Sequence, residues 1–125
     1  MFNYSKVFSG FSVDDLVKAR AFYQNVLGLD VTGSEGVLRM RVSSGADVII
    51  YGKKDHVPAT FTILNFAVED IEKGVEELTA AGVKFVLYND GPLKTDEKGI
   101  FRGGGPLIAW FKDPAGNFIS VLQES

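Results

Sequence analysis

The chain has 125 residues, with 13 Lys and Arg against 16 Asp and Glu, a net charge of −3 and no cysteine. The acidic balance argues against nucleic acid as a partner, and the lack of cysteine excludes disulfides, thiol nucleophiles and zinc–cysteine sites. No apolar run approaches the ~20 residues of a membrane span, and the N-terminus lacks a signal-peptide pattern, so we expect one cytoplasmic domain without a membrane partner.

The first predicted element is a strand that runs into a helix, and this pair occurs twice. The segment FSVDDLVK at 11–18 matches FAVEDIEK at 66–73. Asp14 and Asp15 suit the first turn of the first helix, and Gly28 suits its end. Its apolar face has helical spacing and consists of Leu16, Ala19, Phe22, Tyr23, Val26 and Leu27. The second helix presents Ile71, Val75 and Leu78 and ends at Gly82.

Each helix is followed by a short strand and a predicted hairpin. The segment VLRMRVSSGADVIIY at 37–51 aligns with IAWFKDPAGNFISVL at 108–122, with Gly45 over Gly116. The sequence therefore predicts a single α+β domain over 1–125. Its parts are a first module at 1–52, a linker at 53–61 and a second module at 62–125.

One segment, NDGPLKTDEKGIFRGGG at 89–105, has no counterpart of similar length in the first half. It is longer than the usual ~4–6 residue connection, which favours a binding loop or lid. The alternative is an insertion with few contacts. We predict that this segment is the most mobile internal part of the chain and orders over a bound ligand.

The two ends of the repeat resemble a known superfamily. Val13-Asp14-Asp15-Leu16 with the helix over 19–29, and DPAGNFISVLQ at 113–123, are similar to the opening and closing motifs of the vicinal oxygen chelate superfamily. That superfamily contains glyoxalase I, extradiol dioxygenases, and fosfomycin and bleomycin resistance proteins. The resemblance implies paired βαβββ modules whose eight strands form a curved sheet around a cleft. It also implies a homodimer.

In metal-dependent members, the resemblance places ligands on the first and last strands of each module. The corresponding residues here are Phe8, Ile49, Ile63 and Ser120. None of them offers a carboxylate or an imidazole, so we expect no metal and no other cofactor. The single histidine, His56, lies in the linker, where a surface position is expected.

Strand alternation sorts the remaining residues between the core and the cleft. Val7, Phe11 and Val13 of the first strand are assigned to the core. The residues assigned to a small-molecule site are Phe8, Arg39, Ile49, Tyr51, Ile63, Asn65, Trp110, Phe118 and Ser120.

These assignments leave several alternatives open. Arg39 is suited to pair with a carboxylate or phosphate, or to stack on Trp110, but it also fits a solvated face. Phe8 and Trp110 also fit a core or a dimer interface, and Asn65 also fits a role in satisfying nearby backbone groups. Ser120 lacks the sequence context of a nucleophile elbow.

The sequence favours a metal-independent protein that binds a small amphipathic or aromatic ligand, in the manner of bleomycin resistance proteins. The alternative function is enzymatic, as a glyoxalase-like lyase or isomerase or a dioxygenase-related enzyme with an unrecognised site. A third possibility is a subunit that uses the cleft face to pair with another protein.

Overall fold

The computed structural model describes residues 1–42 and 45–124. It contains two compact units that meet in sequence at Val57 and Pro58. Each unit has a strand, a helix and three further strands, which form one four-stranded sheet. The predicted α+β fold with two βαβββ modules is therefore confirmed. Within the described residues, no helix is long and apolar enough to cross a membrane.

The first unit has four strands and one helical region in the predicted order. These elements are β1 (Ser9–Val13), α1 (Leu16–Arg20) with a π-helical continuation (Ala21–Val26), β2 (Asp30–Ser34), β3 (Val37–Arg41) and β4 (Asp47–Gly52). The order across the sheet is β1-β4-β3-β2. The first and last strands, β1 and β4, are parallel, whereas the other pairs are antiparallel.

The helical region begins where the sequence predicts, at an aspartate cap. The Asp15 carboxylate accepts hydrogen bonds from the backbone N–H groups of Val17 (3.0 Å) and Lys18 (3.1 Å). The helix then widens, and the Leu27 N–H donates to the carbonyl of Phe22, five residues earlier. Apolar spacing does not distinguish this π-helical turn from an α-helical one, so the sequence did not reveal it.

The core of the first unit lies between the helix and one face of the sheet. Its buried strand residues are Phe11, Val13, Val31, Leu38, Met40, Val48 and Ile50. Tyr23 of the helical region is fully buried, with its ring centroid 5.8 Å from that of Phe11. The assignment of Val7 to this core was wrong, because Val7 precedes β1 and is 81% exposed.

The second unit repeats this order with a longer connection before its second strand. Its elements are β5 (Thr62–Ala67), α2 (Ile71–Ala80), β6 (Ile100–Phe101), β7 (Leu107–Lys112) and β8 (Phe118–Gln123). The sheet order is β5-β8-β7-β6, with β5 parallel to β8. Ile71 and Val75 of α2 are buried, and the Ile71 N–H donates to the Gln123 side chain at 2.9 Å. This bond joins the start of α2 to the end of β8.

The turn between β7 and β8 also holds the start of the second unit. The buried Asp113 carboxylate accepts hydrogen bonds from the backbone N–H groups of Ala115 (3.0 Å) and Asn117 (2.8 Å). The Asn117 amide oxygen accepts from the Ala59 N–H at 3.1 Å. Gly116 has φ +87°, and a Cβ there would lie 3.0 Å from the Pro58 ring. The turn therefore requires glycine for both its backbone conformation and its contact with Pro58.

Part of the long 89–105 segment is held in place by Asp96. Its carboxylate accepts from the backbone N–H groups of Lys98 and Ile100, each at 2.9 Å, and from Nε of Arg102 at 3.1 Å. Arg102 also donates to Glu72 of α2 at 3.0 Å. Because Ile100 is fully buried in β6, the portion around 95–102 is a packed part of the second unit.

We predict that Asp96→Ala releases this packed portion. Burial raises the pKa of Asp96, but the hydrogen bonds from Ile100, Arg102 and Lys98 outweigh it, so the pKa lies below its ordinary value. The ionised carboxylate therefore stabilises the segment above about pH 4, and this contribution is lost as the pH falls through the lowered pKa. Amide hydrogen exchange over 97–102 should accelerate roughly tenfold in the variant at pH 7.

Limited trypsin digestion gives a second readout of the same prediction. The native chain should be cut after Lys94 before Lys98, whereas Asp96→Ala should make Lys98 equally sensitive. Asp90→Ala is the matched control, since Asp90 is an exposed carboxylate of the same segment. Equal exchange rates in the native protein and Asp96→Ala would show that Asp96 does not anchor the segment.

Candidate functional site

Each sheet has one face packed on its helix and a second face, called here the helix-free face. On the second sheet, this face carries alternate residues of β5, β7 and β8. They are Asn65, Ala67, Ile108, Trp110, Phe118, Ser120 and Leu122, by strand alternation from the buried residues Ala109, Phe111, Ile119 and Val121. Four predicted site residues, Asn65, Trp110, Phe118 and Ser120, therefore share one face of one sheet.

Three of these residues form a single cross-strand row. Ser120 of β8 lies between Asn65 of β5 and Trp110 of β7. The Ser120 hydroxyl donates a hydrogen bond to the Asn65 side-chain oxygen at 2.5 Å. Ser120 is fully buried, so this bond satisfies its hydroxyl, while Asn65 remains exposed at the surface of the face. Asn65 thus presents an amide group on the same face as the Trp110 indole, two strands away from it.

Trp110 belongs to a cluster of three aromatic rings that the sequence did not predict. Its ring centroid lies 5.9 Å from that of Tyr88, nearly perpendicular to it, and 6.2 Å from that of Phe101. Tyr88 is held by hydrogen bonds between its backbone and Thr95, with its N–H donating to the Thr95 hydroxyl at 3.1 Å. Tyr88 and Phe101 lie in the region of the long connection, which has no counterpart in the first unit. The repeat therefore could not indicate the sheet face on which their side chains lie.

The other two predicted residues of the second unit border this row. Ile63 lies where the β5–β8 register shifts between Thr62 and Leu64, which indicates a β-bulge. Phe118 is half-buried, and the Lys112 ammonium lies 5.1 Å from its ring centroid. The ring of Phe118 therefore already has a cation on one side.

On the first sheet, the helix-free face carries predicted residues from β3 and β4. Ile49 of β4 is paired with Gly10 of β1 and with Arg39 of β3. Tyr51 is paired with Ser12 and Val37, and it is 41% exposed. On this face, the apolar side chain of Ile49 thus lies beside the charged side chain of Arg39.

Phe8 lies outside the strand to which the sequence assigned it. It comes immediately before β1, is 57% exposed and has the Lys6 ammonium 5.7 Å from its ring centroid. Its ring is therefore accessible but is not fixed by the sheet register.

Arg39 pairs with a carboxylate of its own sheet. Its Nη1 donates to Oδ2 of Asp47 at 2.9 Å, and Nε of Arg41 lies 3.6 Å from Oδ1 of the same carboxylate. The hydrogen bond from Arg39 and the charge of Arg41 hold the pKa of Asp47 below its ordinary value, against the opposing effect of burial. Arg39 is therefore a partly exposed residue whose guanidinium is paired with Asp47.

His56 also differs from its expected surface position. It is half-buried, and its Nδ1 lies 2.7 Å from the hydroxyl of Ser12 on β1, within hydrogen-bond distance. The chain before it is tied down by the Lys53 N–H, which donates to the Val13 carbonyl at 2.9 Å. These contacts hold residues 53–56 against the first sheet, next to the Ser12 and Tyr51 pair.

The residues at the four ligand positions do not fit a divalent metal ion. Phe8, Ile49 and Ile63 have no donor atom in their side chains, and the Ser120 hydroxyl is directed to Asn65. Across residues 1–42 and 45–124, no three His, Asp or Glu side chains form a group suited to a metal. These four positions therefore offer apolar contacts and one hydrogen-bonded hydroxyl, and they do not offer metal ligands.

The chain is similar in structure to several solved proteins. They include TnmS3, an antibiotic binding protein from Streptomyces sp. CB03234 (22% identity, TM-score 0.67, covering 99% of this chain and 100% of that one). A superfamily member from Sphaerobacter thermophilus DSM 20745 has 22% identity and a TM-score of 0.68 over 97% and 98% of the two chains.

The E126Q mutant of FosX, a fosfomycin resistance protein from Listeria monocytogenes, is a third example. It was solved with Mn(II) and 1S,2S-dihydroxypropylphosphonic acid, and it has 17% identity and a TM-score of 0.68 over 99% and 93% of the two chains. At these identities the likeness shows the fold alone. No curated protein sequence matches the chain.

A family model, by contrast, matches nearly the whole chain. The match covers residues 8–121, which include both strand–helix repeats and both hairpins. The chain belongs to the Glyoxalase/Bleomycin resistance protein/Dioxygenase superfamily.

Proposed function

We propose that the protein binds a small aromatic or amphipathic molecule without a metal ion, on the helix-free faces of its sheets. The observation that carries this proposal is the cluster of Tyr88, Phe101 and Trp110, which shares one sheet face with the Asn65 amide two strands away. Aromatic walls with a few fixed polar groups are typical of small-molecule sites. The Asn65 amide supplies a hydrogen-bonding group that orients a planar ligand against the rings.

The binding residues are proposed for each unit separately. In the second unit they are Ile63, Asn65, Trp110, Phe118 and Ser120, with Tyr88 and Phe101 added by the structure. In the first unit they are Phe8, Arg39, Ile49 and Tyr51. TnmS3, which binds an antibiotic, has the same fold, and this supports a binding function for the chain without defining its ligand.

The alternative is an enzyme of the glyoxalase or dioxygenase kind, and metal content distinguishes the two. The purified protein should contain no stoichiometric Zn, Ni, Mn or Fe, because Phe8, Ile49, Ile63 and Ser120 cannot replace metal ligands. The measurement is elemental analysis after dialysis, together with thermal melting in the presence and absence of each ion. About one equivalent of a metal that survives dialysis would overturn the ligand placement and favour the enzyme.

Tryptophan emission offers a direct test of binding, because Trp110 is the only tryptophan. A panel of small aromatic acids, their amides and cationic aromatic drugs should contain compounds that change this emission. For such a compound, Trp110→Ala should weaken binding by about 1–3 kcal/mol, measured by calorimetry, since an indole buries a large area. Trp110→Phe should retain most of the affinity while losing the emission signal.

Phe61→Ala is the matched control for this experiment. Phe61 is 69% exposed in the same unit but has no ring contact with the cluster. Its loss should leave affinity unchanged. A panel with no binder, or a binder with equal affinity for the native protein and Trp110→Ala, would count against the proposed site.

We also propose that the protein is a homodimer. The N-terminal segment exposes several large apolar side chains, including Phe2 (83%), Tyr4 (66%) and Val7 (81%), and such a patch suits contact with a second copy. Light scattering after size-exclusion chromatography should give twice the monomer mass of 13.6 kDa. Deletion of residues 2–7 should shift the protein toward the monomer, and a native chain that is monomeric at micromolar concentration would contradict the proposal.

A further inference from the structure

The charged group on the helix-free face of the first sheet has an unusual arrangement. Asp47 lies between two arginines, with Arg39 hydrogen-bonded to one carboxylate oxygen and Arg41 near the other. The Asp47 side chain is only 13% exposed, whereas those of Arg39 and Arg41 are 48% and 64% exposed. The Asp47 carboxylate is thus mostly shielded from solvent, whereas the two guanidinium groups are largely accessible to it.

Strand register fixes these three residues next to the proposed ligand-binding residues of the same sheet. Arg39 is paired with Ile49, and Arg41 is paired with Asp47. All four side chains project from one face, because their positions alternate with the buried residues Leu38, Met40 and Val48. A ligand on Ile49 would therefore meet the Arg39–Asp47 pair directly.

The charges around Asp47 are close to balanced. Lys6 adds a third cation near Asp47, and Asp30 of β2 is the other cross-strand neighbour of Arg41. Three cations thus stand against two carboxylates. Since the pKa of Asp47 lies below its ordinary value, its carboxylate stays ionised throughout the neutral range.

Two adjacent guanidinium groups would ordinarily form a strong site for an external carboxylate or phosphate. Here a side chain of the protein already supplies the anion. An external anion must either displace Asp47 from Arg39 or bind beside a carboxylate of like charge, and both cost free energy. The group therefore discriminates against negative charge despite its two arginines.

We propose that Asp47 is a specificity-determining residue, because its carboxylate occupies the anion site formed by Arg39 and Arg41. This inference rests on the proposed binding function of the same face. It favours uncharged or cationic aromatic ligands over aromatic carboxylates and phosphates. The sequence suggested an anionic ligand as the partner of Arg39. In the structure, the carboxylate of Asp47 takes the place of that anion.

The first test uses inorganic phosphate and needs no aromatic ligand. The Nε–Hε signals of Arg39 and Arg41 are followed by NMR while phosphate is added at constant ionic strength and pH 7. In the native protein they should respond no more than the signal of Arg20. In Asp47→Asn both signals should shift and saturate at millimolar phosphate, with an apparent affinity raised on the order of tenfold.

Asp55→Asn is the matched control for the gain of anion binding. Asp55 pairs with Lys53 at 2.8 Å in the same unit, so this variant also frees one cation from a carboxylate. It should leave the Arg39 and Arg41 signals unresponsive to phosphate. Asp47→Ser serves as a second variant if Asp47→Asn folds poorly, and the double variant Arg39→Ala with Asp47→Asn should lose the gain.

The second test compares the binding of an aromatic acid and of its isosteric amide by calorimetry. The native protein should bind the acid no more tightly than the amide. Asp47→Asn should raise affinity for the acid about tenfold and leave that for the amide unchanged.

Two results would overturn the inference. One is saturable phosphate binding at Arg39 and Arg41 in the native protein, and the other is a folded Asp47 variant with no gain of phosphate binding. A failure of the aromatic panel together with the expected phosphate result would instead contradict the proposed function alone, and would leave Asp47 as the occupant of the anion site.

Discussion

The parallel pairing between the first and last strands of each unit determines which side chains lie on the helix-free faces. It places Gly10 beside Ile49 in the first sheet and Asn65 beside Ser120 in the second. Because side chains alternate along a strand, a shift of one residue in either pair would exchange the buried and helix-free faces. The burial of Phe11 and Val121 on the helix side opposes such a shift. The hydrophobic core therefore fixes the position of the polar groups.

Two polar pairs on the helix-free faces form within the protein. Ser120 donates to Asn65, and Arg39 donates to Asp47. A buried hydroxyl or charge without a partner would be costly, so these pairs allow polar residues to stand in a mainly apolar surface. The same pairs limit the chemistry that remains, because the Ser120 hydroxyl proton is used by Asn65 and the Arg39 charge is paired with Asp47. The groups that remain suited to recognition are aromatic rings and the Asn65 amide.

The two units differ most where the second contains its long connection. In the first unit, β2 follows the helix after a short turn, whereas in the second unit β6 is reached only at Ile100. The added chain brings Tyr88 and Phe101 to Trp110 and is fastened to α2 through Arg102 and Glu72. The added chain thus completes the cluster of Tyr88, Phe101 and Trp110 in the second unit. The difference between the units arises from an insertion, and the strand pairing itself is unchanged.

The sequence by itself determined the repeat, the strand and helix order, the aspartate caps and the faces of most strands, because these depend on local spacing and on turn chemistry. It also determined which residue types stand at the ligand positions of the superfamily. Only the tertiary structure showed that Asp47 pairs with Arg39, that His56 lies against Ser12 and that Tyr88 joins Trp110. Each of these contacts joins side chains whose approach depends on sheet register or on the path of a long connection. Periodicity reports the face on which a residue lies, but the choice of partner on that face is made by the three-dimensional packing.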